Sequence, residues 1–231
     1  MTAISAPLRV DFGGGWLDVP RFARPKSWIV NCTISPVVTL ENWPYKAQGG
    51  LGGSAAWSII NGKDAFKEEL STAGWQDPAV ILETGLCVWR SGPRPVLEAK
   101  FNPDWLAGLM AIRWTGKTHD TKSLCDMPRN YDMISSAGMA AYAAAQLSCS
   151  LYPYGDVALN ELSRAIHLSH LAQQAEGMAK IPYGKFEIAA KYCGSGWGGY
   201  TFHLFRGRDF RDAFVAEDPE AMAVEPFMSA V

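Results

Sequence analysis

The chain has 231 residues, 48% hydrophobic and 19% charged, enough apolar material for a substantial core and too much for low-complexity disorder. Its 21 basic and 23 acidic residues leave a net charge of −2, which argues against a broad basic field for nucleic acid. No apolar run is long enough to span a bilayer. The first seven residues lack the basic and apolar regions of an export signal, so a cytoplasmic protein is expected.

In chain order, Leu8, Val10 and Phe12 alternate with Arg9 and Asp11, the period of a half-buried strand that stops at Gly13, Gly14 and Gly15. Residues 28–30 and 37–40 read as two β-branched segments with Pro36 between them. Gly49 to Gly53 then lead into a helix for which Ser54 is the natural N-cap, and 63–70 adds a short helical piece. A loop around Gly74 to Pro78 precedes an apolar stretch, 80–89, and 110–114 reads as a strand. Residues 134–147 and 157–178 have helical periodicity, and 186–192 reads as a shorter helix. A glycine-rich turn, 194–199, leads into a strand at 200–205, and the acidic tail after Arg211 reads as a surface segment. Strands early and helices late predict an α+β fold with a boundary near 101–105.

Five widely spaced cysteines, Cys32, Cys87, Cys125, Cys149 and Cys193, form no CxxC pair and read as buried free thiols in a reducing compartment. The four histidines, His119, His167, His170 and His203, show no ligand spacing. Trp16, Trp57, Trp75 and Trp197 sit in or beside glycine-rich turns. Packing into the gap that glycine leaves is the first reading of them, and a sugar-stacking platform the second.

The glycine-rich turns carry the chemistry. Glycine lets backbone N–H groups converge on an anion, and a helix that starts there adds the positive end of its dipole. The string GGLGGSAA fits that physics. No Gly-Lys-Ser/Thr follows it, so it is not a Walker A loop, and no GxGxxG opens a βαβ unit.

Four strings occur together: APLRVDFGGGWLDVP (6–20), GLGGSAA (50–56), GWQD (74–77) and KYCGSGWGGY (191–200). They resemble, in order, the first motif, the phosphate-binding GLGSSAA, the GGxQD aspartate segment and the third motif of the GHMP kinases. The first is most similar to the branch containing heptose-phosphate kinases and L-fucokinases. The resemblance spans nearly the whole chain. It implies an α+β, two-lobed fold with mixed sheets, helices and a central cleft. The N-terminal lobe would be 1–105, with the phosphate loop and catalytic aspartate, and the C-terminal lobe 106–231, with the third motif.

The resemblance also implies roles in ATP- and Mg²⁺-dependent phosphorylation of a small sugar or sugar phosphate, with the anomeric hydroxyl preferred as acceptor. Asp77 would accept a proton from the attacking hydroxyl or orient it, and Arg9 would stabilise the transferring phosphoryl group. Asp18, with Gly14, Gly15 and Trp16, would bind the sugar. Gly50, Leu51, Gly52, Gly53, Ser54 and Ala55 would cradle the nucleotide, and Gly194, Gly196 and Gly198 would close the site floor. Ser54 and Glu68 are the candidates for Mg²⁺.

Blander readings stand beside these: Asp18 as a turn residue, Arg9 as an outward charge, and Asp77 as an N-cap before Pro78. The chain also departs from the family pattern. Gly53 replaces a serine, Asp77 follows Ser54 by only 23 positions, and His119 stands where the family has an arginine. The alternative is a non-catalytic protein of the same fold that binds a sugar or nucleotide.

Overall fold

β1 (Ala6–Gly13) is buried at every residue, not at alternate ones. Leu8, Val10 and Phe12 enter the core, while Arg9 and Asp11 on the opposite face are 3% and 5% exposed. The outward-facing reading of Arg9 is thereby excluded. The computed structural model describes residues 4–70, 74–118, 121–149, 155–185 and 187–229.

After β1 come β2 (Trp28–Val38), α1 (Gly53–Ile60), α2 (Ala65–Leu70), α3 (Gln76–Glu83), β3 (Leu86–Arg90) and β4 (Leu97–Phe101). The second half runs β5 (Met110–Trp114), α4 (Thr121–Leu124), α5 (Tyr131–Ser148), α6 (Gly155–Ala175), β6 (Glu187–Tyr192), β7 (Tyr200–Phe205), α7 (Arg208–Glu217) and β8 (Ala221–Pro226). The fold is α+β, with an eight-stranded sheet in the order β4-β3-β2-β8-β5-β7-β6 and β1 on β2. All its ladders are antiparallel. Among the described residues no helix is long and apolar enough to cross a membrane.

Several sequence expectations need correction. Residues 28–30 and 37–40 do not form two separate segments, because 28–38 is one strand, with a cis Ser35–Pro36 bond inside it. The expected helix at 186–192 is β6. Ala189 and Ala190 favour a helix locally, but the ladder with β7 overrides that weak preference; Phe186 lies outside the described residues. The tail lies at the surface, half-buried or exposed at every described residue after Arg211 except Val224, but it is not irregular chain. It forms α7 and β8, and β8 pairs Ile34 with Pro226 on one side and Met110 with Val224 on the other, joining the two halves of the sheet. Two helix starts also shift. α1 begins at Gly53 with left-handed Gly52 at its cap in place of Ser54, and α3 is capped at Trp75 with Asp77 inside its first turn.

The alanine-rich α5 packs against α6, β1 and β2. Small residues allow that approach: a Cβ on Gly138 would lie 2.1 Å from the Trp28 carbonyl oxygen, and one on Gly13 would lie 2.5 Å from that of Ala137. The end of β1 is thus pressed onto a helix. Of the cysteines, Cys32, Cys87 and Cys193 are buried, whereas Cys125 is half-buried and Cys149 is exposed.

Candidate active site

β1 delivers Arg9 to the wall of a cavity of about 590 Å³. Its Nε donates to Asp77 Oδ1 at 2.7 Å, its Nη2 lies 2.6 Å from the same oxygen, and its Nη1 donates to the Gly50 carbonyl at 2.8 Å. Burial opposes the guanidinium charge, but Asp77 and Asp11 outweigh it and the pKa is raised. Arg9 is therefore a fixed cation joining the candidate catalytic carboxylate to the candidate phosphate loop.

That loop is held from below by the Arg9 N–H, which donates to the Leu51 carbonyl at 3.0 Å. Gly50 and Gly52 have φ of +78° and +76°, and a Cβ on Gly52 would meet Asp77 Cγ at 3.3 Å and Arg9 Cγ at 3.4 Å. Glycine is thus demanded there both by conformation and by the close approach of Asp77 and Arg9. α1 follows directly, so the first N–H groups of a helix, which have no carbonyl partner within it, open at the cavity wall. Gly53 and Ser54 line the cavity; Ala55 is buried behind them.

Asp18 is 2% exposed and lines the same cavity, accepting from the Gln76 backbone N–H at 3.2 Å and from Gln76 Nε2 at 3.4 Å. Burial pushes its pKa up to about 6, with the neighbouring Asp77 charge adding to the shift. Gly74 makes room for it: a Cβ there would fall 1.9 Å from Asp18 Oδ2. Gly15 and Trp16 also line this wall. Trp16 is fixed at φ +76° with the buried Arg129 guanidinium 3.7 Å from its ring centroid.

The remaining candidates divide. Gly194 lines the cavity beside Ser195 and packs on the phosphate loop, its would-be Cβ 2.9 Å from the Gly50 oxygen. Gly196 and Gly198 do not line it; their missing Cβ atoms leave room for Met178 Sδ and for the Thr118 carbonyl. Gly14 faces the Trp28 carbonyl and a separate chamber of about 30 Å³. Glu68 is on α2, but its side chain is outside the described residues, as is His119.

Sequence reasoning gave no role to Gln76, Lys46 and Trp43, all on the cavity wall with Trp57, or to Asp11 and Lys191 beneath it. Gln76 lay within a quoted motif, and Trp57 beside another. Asp11 and Lys191 also lay within quoted motifs, but nothing in the sequence tied either to a role or to the other. Among the described residues no group of three or more His, Cys, Asp or Glu is placed to hold a metal ion.

No protein-family model and no curated protein sequence matches the chain. Solved structures do. Mevalonate kinase of L. major in complex with R-mevalonate is 15% identical, with a TM-score of 0.67 over 98% of this chain and 95% of that one. The fold is that of the GHMP kinases. Mevalonate kinase of Methanococcus jannaschii is 12% identical, with a TM-score of 0.66 over 97% of this chain and 98% of its own. Galactokinase of Lactococcus lactis, complexed with galactose, is 11% identical, with a TM-score of 0.58 over 96% of this chain and 92% of its own. At these identities the likeness is one of fold, and it brings together proteins whose named ligands differ in charge.

Proposed function

We propose that the chain is an ATP-dependent kinase that transfers the γ-phosphoryl group to a hydroxyl of a small sugar or sugar phosphate. The observation that carries this reading is Arg9, bonded at once to Asp77 and to the carbonyl of Gly50. Phosphoryl transfer asks for a nucleophile, a developing negative charge and a phosphate cradle within a few ångströms, and that one residue spans all three.

In the proposed reaction the acceptor hydroxyl stands against Asp77. Its oxygen forms a bond to the γ-phosphorus as the bond from that phosphorus to the bridging oxygen breaks, and ADP leaves. The hydroxyl proton passes to Asp77. Arg9 faces the equatorial oxygens, where its attraction grows as charge develops. The amides at the start of α1 and the open backbone of Gly50 and Gly52 hold the phosphates. Mg²⁺ would arrive with the nucleotide and find the Ser54 hydroxyl in the loop; no described carboxylate cluster is built for it.

The acceptor wall favours neutral polyols. Its described charged groups near Gln76 are the carboxylates of Asp18 and Asp77, and the adjacent cation, Arg9, is paired with Asp77 and assigned to the transferring phosphoryl group rather than to the acceptor. Asp18 suits sugar hydroxyls, which donate to carboxylates, and the Gly-Gly-Gly-Trp-Leu-Asp string supports the anomeric position. Lys46 and the half-exposed Trp43 line the same cavity as the phosphate loop and are available to the nucleotide. A cytoplasmic enzyme, where ATP is plentiful, agrees with the free thiols.

The test is ADP release from ATP–Mg²⁺ across neutral hexoses and deoxyhexoses, their phosphates, and mevalonate. Turnover on a neutral sugar, lost in Asp77→Asn with ligand affinity retained, is the expected result. Sugar binding without turnover on any acceptor would replace the kinase by a sugar-binding protein of the same fold.

A further inference from the structure

Beneath the cavity four charges alternate along one line: Lys191, Asp11, Arg9 and Asp77, contributed by β6, β1 and α3. Lys191 is 1% exposed, and its ammonium is paired with Asp11 Oδ2 while also donating to the Asp11 carbonyl at 3.0 Å. Asp11 Oδ1 accepts from the Gly194 N–H at 3.3 Å and from Arg9 Nη1 at 3.4 Å. Burial would raise the Asp11 pKa, but Lys191 and Arg9 outweigh it and hold the carboxylate ionised.

A buried ion pair is weak evidence for a stabilising role, because well-packed apolar residues of similar volume serve stability as well or better. What apolar residues cannot reproduce is the circuit. Arg9 Nη1 reaches Gly50, the backbone of Gly50 abuts Gly194, the Gly194 amide reaches Asp11, and Asp11 reaches back to Arg9. Among the described residues β1 and β6 share no ladder, β1 pairing with β2 and β6 with β7, so Lys191 is a strut between them.

We propose that Asp11 and Lys191 are positioning residues, which aim Arg9 at Asp77 and fix the separation of the second and third glycine turns. This rests on the kinase reading for its effect on rate, but the positional claim stands apart from it.

The experiment compares the wild-type chain with Asp11→Leu/Lys191→Met and with Asp11→Asn, by thermal melting, steady-state kinetics and crystal structures. The double variant removes one charge of each sign. It is expected to melt close to wild type while kcat falls at least about tenfold and KM for ATP moves less than about threefold. Wild-type kcat and KM in a folded double variant would overturn the proposal. If the double variant fails to fold, Asp11→Asn decides: kcat reduced about tenfold supports positioning, and kcat within about twofold of wild type overturns it. If the wild type itself has no turnover, the kinase reading fails separately. The crystal structure of the folded variant then decides. Arg9 Nη1 withdrawn from the Gly50 carbonyl supports the proposal, and Arg9 unmoved overturns it.

Discussion

Replacing Asp18 by Asn should make the protein more stable and a worse enzyme. In the folded chain burial raises the Asp18 pKa from 3.8 to about 6. Between those two values the native state binds the extra proton, so stability contributed by this group is full below pH 3.8 and lost as pH rises through about 6. A difference of about 2 pH units is worth about 3 kcal/mol at neutral pH. At 2% exposure solvent does little to reduce it.

Asn carries no charge to desolvate. Its carbonyl can take the Gln76 N–H, and its amide can donate to Gln76 Oε1, which is buried without a partner among the described residues, once the Gln76 amide turns over. The expected gain is therefore up to about 3 kcal/mol at pH 7.5, or about 6–12 °C in Tm for a chain of this size, shrinking toward zero near pH 4. Chemical denaturation of both proteins at pH 4, 5, 6 and 7.5 measures it. The same variant should raise the acceptor KM and leave that for ATP unchanged. A stability difference independent of pH would refute the buried-carboxylate argument, whatever the kinetics show.

Arg9→Met should lower kcat by about 10²–10³, since it removes the cation bonded to Asp77, with ATP affinity changed less; equal kcat would dissociate Arg9 from the chemistry. Gly52→Ala combines left-handed strain of about 1–2 kcal/mol with contact on Asp77, so both Tm and kcat should fall in the same melting and ADP-release assays. Gly138→Ala places its Cβ against the Trp28 carbonyl and should cost about 3 kcal/mol by denaturant titration; ATP KM in the surviving folded fraction should be unaltered.

What the sequence revealed depends on the distance over which each feature is decided. α5 and α6 follow from alanine content and periodicity within themselves, and the phosphate loop from glycines next to a helix. Arg9 was legible through its motif, but its partners lie 41 and 68 positions away, and no local pattern distinguishes a solvent-facing Arg from one clamped by Asp77. Asp11 and Lys191 are 180 positions apart; Asp11 looks like the polar half of a strand alternation, and Lys191 falls in a segment whose local pattern reads as a helix. β8 was missed for the same reason: its ladders are with β2 and β5, both far back along the chain. Gly196 and Gly198 were placed in the site because they belong to its motif, yet a turn has two sides. Gly194 faces the loop, while Gly196 and Gly198 give room to Met178 and Thr118.

That sidedness explains how the phosphate loop is fixed before any ligand arrives. The Tyr200 N–H, at the exit of the third turn, donates to the Gly49 carbonyl at 2.8 Å, and the Tyr200 hydroxyl accepts from the Lys46 N–H at 2.8 Å. A Cβ on Gly49 would strike the Tyr200 ring at 2.6 Å, so the loop entrance lies flat on that side chain. Arg9 then holds Gly50 and Leu51 from the other side. A loop clamped at its entrance by β7 and at its centre by β1 has given up its conformational freedom during folding, so less would remain to be lost on binding the triphosphate that the proposed function requires. The same clamps connect the cradle to Asp77 through one guanidinium, so a disturbance of β1, β6 or β7 should register in kcat even when it lies outside the cavity.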